Sequence, residues 1–99
     1  MANVPRLNGV IKVLEEGGTA FAPFSPSDIE SAAMIATSAC DGVVFEMEHS
    51  PFSGPTLRDC LQYLLDRRQI VDRRTLSPAV TPMVRIPPNG GEMNQWLAK

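Results

Sequence analysis

The sequence predicts an α/β chain in which parallel strands alternate with helices behind a leading helix. Three observations predict this. Short apolar runs at residues 19–24, 43–45 and 82–86 have strand length and strand composition. The segments between them carry helical periodicity instead of two-residue hairpin turns, which implies parallel pairing through right-handed crossovers. Finally, 43% hydrophobic and 20% charged residues, with 7 Gly and 9 Pro, is the composition of a globular chain.

The leading helix rests on Leu7, Val10, Ile11 and Leu14, spaced i, i+3, i+4, i+7. Gly17 and Gly18 stop it with the residue type that a left-handed C-cap prefers. Residues 19–24 (TAFAPF) then form the first strand, with Pro23 near its end. In SPSDIE, either Ser25 caps a helix with Pro26 at its first position, or Ser27 caps it with Glu30 three residues on. That helix runs to about Ala39 and presents Ile29, Ala32, Ala33, Ala36 and Ala39 as a narrow face of small residues.

Asp41 and Gly42 form a turn, and Val43, Val44 and Phe45 make a buried strand core ending in Glu46, Met47, Glu48 and His49. Pro55 follows Gly54 as the first position of the next helix, whose stripe is Leu57, Leu61, Leu64 and Leu65. The charged stretch 66–74 reads as a solvated helix end, with a turn-like continuation to 80. Residues 82–86 form the third strand, 87–91 a loop, and 92–99 a final helix with Met93 and Trp96 in the core.

With 99 residues the chain is one domain at most, since a complete α/β barrel needs about 200–250. We expect residues 1–99 to be a single incomplete domain, the opening of a larger β/α protein. A net charge of −2 gives no basic field for nucleic acid and no polybasic membrane signal. Cys40 and Cys60 cannot form a disulfide scaffold and read as buried thiols of a reducing compartment. No apolar run reaches the roughly 18–20 residues of a membrane span, and the N-terminus lacks a secretory h-region. A cytoplasmic protein is the expectation.

In a parallel β/α protein the working residues sit at the C-terminal ends of strands. That rule selects Ser25, the cluster Glu46-Met47-Glu48-His49, and Arg85 with Asn89. His49 is the sole histidine; its ordinary pKa suits a general base, and Glu46 or Glu48 could orient it. Equally, it could cap a loop. Arg85 interrupts an apolar strand and faces opposite to Val84 and Ile86. A guanidinium there needs an anion, either a substrate carboxylate or Glu46 or Glu48 of the adjacent strand. Glu46 and Glu48 would share one face and could bind a divalent metal, or simply end the strand. Cys40, His49 and Cys60 lack zinc-type spacing. No P-loop, GxGxxG or GxSxG motif occurs.

The segment VVFEMEHSPF, residues 43–52, followed by PMVRIPPN, residues 82–89, resembles the HpcH/HpaI aldolase/citrate lyase family. The resemblance implies that the chain is the N-terminal part of a (β/α)8 barrel, three β/α units behind a leading helix. It further implies a metal-dependent class II aldolase that cleaves 4-hydroxy-2-oxo acids to pyruvate and an aldehyde. On that resemblance His49 is the acid/base, and Arg85 is catalytic and substrate-binding, holding the 2-oxo acid and its enolate oxygen. Glu46 and Glu48 support them. A Mg2+, Mn2+ or Co2+ ion is implied, with carboxylate ligands on later strands and none within this chain, and the histidine's acidic partner also lies beyond residue 99. The isolated chain is therefore expected to be inactive, and the full protein to form homo-oligomers.

Two features depart from the family pattern. Glu46 stands where Asp is usual, and the stretch between His49 and Arg85 is longer, around 67–78. Two alternatives accompany this expectation. One is a non-catalytic barrel segment that assembles through its open strand edges. The other is a citramalyl- or malyl-thioester lyase of the same family.

Overall fold

The computed structural model describes residues 5–50 and 52–88. The expected helix at 92–99, the loop residues 89–91, and Asn89, Met93 and Trp96 lie outside them. The elements in chain order are α1 (Gly9–Glu15), β1 (Phe24–Ser25), α2 (Ile29–Ala36), β2 (Gly42–Glu46), α3 (Gly54–Gln62), α4 (Arg67–Arg73) and β3 (Thr81–Arg85). The strands form one parallel sheet in the order β1-β2-β3. This is the α/β arrangement expected, and it is compatible with part of a β/α series.

α1 starts where the Asn8 side chain accepts the Ile11 N–H at 3.0 Å. It stops at Gly17, whose φ of 81° is the left-handed cap conformation that glycine adopts without steric cost. Its apolar stripe is not buried as the spacing suggested. Leu7, Ile11 and Leu14 are exposed, and Val10 alone of the four is half-buried. The helix meets the sheet along one line, where Val10 sits against Gly42 of β2. A Cβ at Gly42 would lie 2.8 Å from the Val10 side chain and 3.0 Å from the Thr81 carbonyl, so glycine is what lets helix and sheet approach.

The first strand is shorter and later than its apolar run. Pro23 has no N–H to give, and its carbonyl accepts the Val44 N–H at 2.8 Å. The Phe21 carbonyl accepts from both Asp41 and Gly42, while the Phe21 N–H donates to the Asp41 side chain at 2.8 Å. A carboxylate and a shared carbonyl thus replace the regular ladder over 19–23. Regular pairing is left to Phe24 with Val44 and Ser25 with Phe45.

α2 is capped by Asp28, which accepts the Ser31 N–H at 2.7 Å, and not by Ser25 or Ser27. Those two hydroxyls donate to carbonyls instead, Ser25 to Pro26 and Ser27 to Glu46. The helix also ends at Ala36, earlier than expected, with the Thr37 hydroxyl turned back to the Met34 carbonyl. Of its small-residue face, Ala32 is buried and Ala36 half-buried, whereas Ile29, Ala33 and Ala39 are exposed. In α3 the cap is Ser53, which places Gly54 first and Pro55 second in the helix. The charged stretch holds a helix of its own, α4, started by Asp66 accepting the Gln69 N–H and ended by Arg74 at a left-handed φ of 54°. Straight-chain Arg and Gln are adequate helix formers, and a good N-cap supplies the start that the apolar pattern did not reveal.

The core lies on one side of the sheet. Val43 and Phe45 of β2 pack with Val80, Ala32, Cys60 and Leu64, all six buried. Alternation sends Val44 to the opposite side, in register with Phe24 of β1 and Met83 of β3. Two residues beyond Val44 on that second face, Glu46 is in register with Arg85.

Candidate functional site

Parallel strands end together, and these end in polar residues: Ser25, Glu46 and Arg85 are the last residues of β1, β2 and β3. They line one cavity of about 360 Å3 with Phe24, Pro26 and Ser50. The strand-end rule therefore brings three of its selected residues into one place. It missed Phe24, Pro26 and Ser50, which nothing in their residue type singled out as site residues. Phe24 reaches the face of Glu46 and Arg85 through its register with Val44, which the sequence does not reveal.

The register pair Glu46–Arg85 is the centre of the site. One carboxylate oxygen of Glu46 is bound by Nη2 of Arg85. The other accepts backbone N–H bonds from Glu48 at 2.6 Å and His49 at 3.1 Å. Glu46 thus ties the bend after β2 to the end of β3. The Arg85 guanidinium holds the Glu46 carboxyl well below its ordinary value, at about 2; burial opposes the shift, and the two N–H groups reinforce it. Arg85 is in turn raised above the ordinary guanidinium value, chiefly by its bond to Glu46. The guanidinium also lies over the Phe24 ring, 4.5 Å from its centroid, so the aromatic face supports the cation from β1. The structural ion pair across adjacent strands, one of the two partners considered for Arg85, is therefore present.

Glu48 and His49 stand beside this pair. Glu48 Oε1 lies 3.3 Å from Arg85 Nε and 3.2 Å from His49 Nε2. The His49 side chain is 65% exposed and does not line the cavity. Glu46 and Glu48 do share a neighbourhood, as their two-residue spacing predicted, but a bend rather than a continued strand brings them together.

The donor set does not suit a divalent cation. Both Glu46 oxygens are already engaged, and a guanidinium occupies the space between the two carboxylates. Among the described residues no three His, Cys, Asp or Glu side chains are grouped to hold a metal ion. Cys60 is buried in the core, and burial raises its thiol pKa, as an inert structural thiol requires. Cys40 is half-buried.

Two larger clefts lie away from the strand ends. One, of about 570 Å3, is lined by α1, Asp41 and the segment after α4; the other, of about 560 Å3, lies between the start of α2 and α3. Size does not favour them. In the first, Arg6 is paired with Glu15 and Arg73 donates to the Ser77 carbonyl, so those cations are already used. The smaller cavity is the one at the C-terminal ends of the parallel strands, lined by the Glu46–Arg85 pair, and it is the stronger candidate. No helix of the described residues is long and apolar enough to cross a membrane. Comparisons with protein-family models, with curated proteins and with solved structures find no match to this chain.

Proposed function

We propose that this chain carries the acid/base and oxo-acid-binding part of a class II aldolase, the reading its resemblance to the HpcH/HpaI family suggests. The observation that supports it most is the placement of Arg85. It is an arginine at the C-terminal end of a parallel strand, fixed by a register partner and an aromatic ring, beside a cavity large enough for a small 2-oxo acid. A guanidinium held in place binds a carboxylate through paired N–H donors and stabilises negative charge developing on an enolate oxygen. His49, on the same bend, is the proton carrier, with Glu48 beside its Nε2. The described residues offer no fitting place for the divalent ion of such aldolases.

The test is pyruvate binding to the 99-residue chain, followed by backbone amide shifts. Saturable shifts at Ser25, Glu46, Ser50 and Arg85, lost in Arg85→Ala, are the expected result. No saturable change at concentrations well above the roughly 1 mM upper end of ordinary KM values would remove the proposal. Retro-aldol turnover of a 4-hydroxy-2-oxo acid with Mg2+ or Mn2+ is expected to be absent from this chain alone.

A second reading, an assembly module, draws support from a different feature. Phe21, Phe24 and Ile86 are 65%, 59% and 58% exposed near a sheet whose outer strands, β1 and β3, have no further strand partner among the described residues. It predicts concentration-dependent oligomers in sedimentation, and a cooperatively folding monomer would oppose it.

A further inference from the structure

Glu48 occupies an unusual position. One of its oxygens, Oε1, faces both a cation and an imidazole, at 3.3 Å from Arg85 Nε and 3.2 Å from His49 Nε2. Yet Arg85 Nε is buried and has no hydrogen-bond partner. At 3.3 Å the Glu48 oxygen is in ion-pair range but lacks hydrogen-bond geometry. The Arg85–Glu46 contact is different, because there Nη2 donates to a carboxylate that two backbone N–H groups also hold. Arg85 therefore has one edge firmly used by Glu46 and one donor only loosely covered by Glu48.

We propose that Glu48 is an internal competitor that covers the Nε edge of Arg85 and sets how tightly the site takes an external carboxylate. The proposal rests on the reading of Arg85 as a carboxylate site. An incoming carboxylate completes the unsatisfied Nε donor with the hydrogen bond that Glu48 does not make. It does so only after the Glu48 side chain turns away. Charge points the same way: Glu46 already neutralises Arg85, so Glu48 leaves excess negative charge exactly where an anion must enter. Glu48 is thus an affinity-determining residue, and its removal strengthens binding.

The test is a pyruvate titration of the 99-residue chain and of Glu48→Gln, with amide shifts at Ser25, Ser50 and Arg85 as the readout. Methyl pyruvate, which lacks the charge, serves as the control ligand. Glu48→Gln is expected to bind pyruvate about 3- to 10-fold more tightly than the unaltered chain, with no gain for methyl pyruvate. Glu48→Asp, which draws the carboxylate back by one methylene, is expected to fall between them. Thermal unfolding of each variant shows that the comparison is between folded proteins. Equal or weaker pyruvate binding by folded Glu48→Gln would overturn the proposal while leaving Arg85 as a carboxylate site. Absence of binding in every form would overturn that site and this proposal together.

Discussion

Replacing Glu46 by Gln tests the pair that joins β2 to β3. The carboxyl sits at about 2 in the folded chain against an ordinary 4.5. At about 1.4 kcal/mol per unit, this span is worth about 3 kcal/mol before screening. Arg85 is 38% exposed, so solvent weakens the pair and about 1–2 kcal/mol is the better figure. The sign follows from the lowered value. The contribution is fully present above the unfolded carboxyl value of 4.5 and is lost as pH falls toward 2. Glu46→Gln should therefore lower stability by about 1–2 kcal/mol at pH 7 and by progressively less in acid, until the two chains converge near pH 2. Urea unfolding of both proteins across that pH range measures the difference directly. A difference that stays constant down to pH 2 would refute the assignment, because it would mean that the lost stability comes from packing and not from the charge of Glu46.

Two further outcomes follow from packing. Gly42→Ala places a Cβ 3.0 Å from the Thr81 carbonyl and closer still to the Val10 and Met83 side chains, so it should cost about 1–3 kcal/mol in urea unfolding; no loss would mean that α1 does not rest on β2 as described. Of the two thiols, half-buried Cys40 should react with a thiol reagent under native conditions well before Cys60, which is fully buried and raised in pKa, and the gap should close in denaturant; faster native modification of Cys60 would contradict the core assignment.

Parallel topology and the second and third strands were legible in the sequence because their causes are local and redundant. Val43 and Phe45 combine strand propensity with complete burial, and the segments between strands carry helical signals. What failed to show was decided by competition between hydrogen-bonding groups. The choice of Asp28 over Ser25 and Ser27 as the cap turns on which side chain meets a free N–H once the chain is folded, and Ser27 is drawn instead toward the Glu46 carbonyl. The first strand was displaced for the same kind of reason: the Asp41 side chain, twenty residues away in sequence, takes the Phe21 N–H. α4 shows the reverse case, a helix whose start depends on the cap Asp66 and not on an apolar stripe.

The site divides along the same line. That Glu46 and Arg85 share a face and an end of the sheet follows from alternation and from the rule that parallel strands finish together, and both are readable without coordinates. That they are register partners is not readable, because it depends on how far β3 slides along β2. A slide of one residue would bring Arg85 opposite Phe45, which is buried in the core on the other face, or past the end of β2, and leave Glu46 without its guanidinium. Val80, which leads into β3 and is buried in the core with Val43 and Phe45, opposes the slip, because a one-residue slide would turn it to the other face. The Glu46 carboxylate also holds the bend: Arg85 binds one of its oxygens, and the other accepts the N–H groups of Glu48 and His49. The histidine backbone is therefore tied, through one carboxylate, to the pairing of β2 with β3.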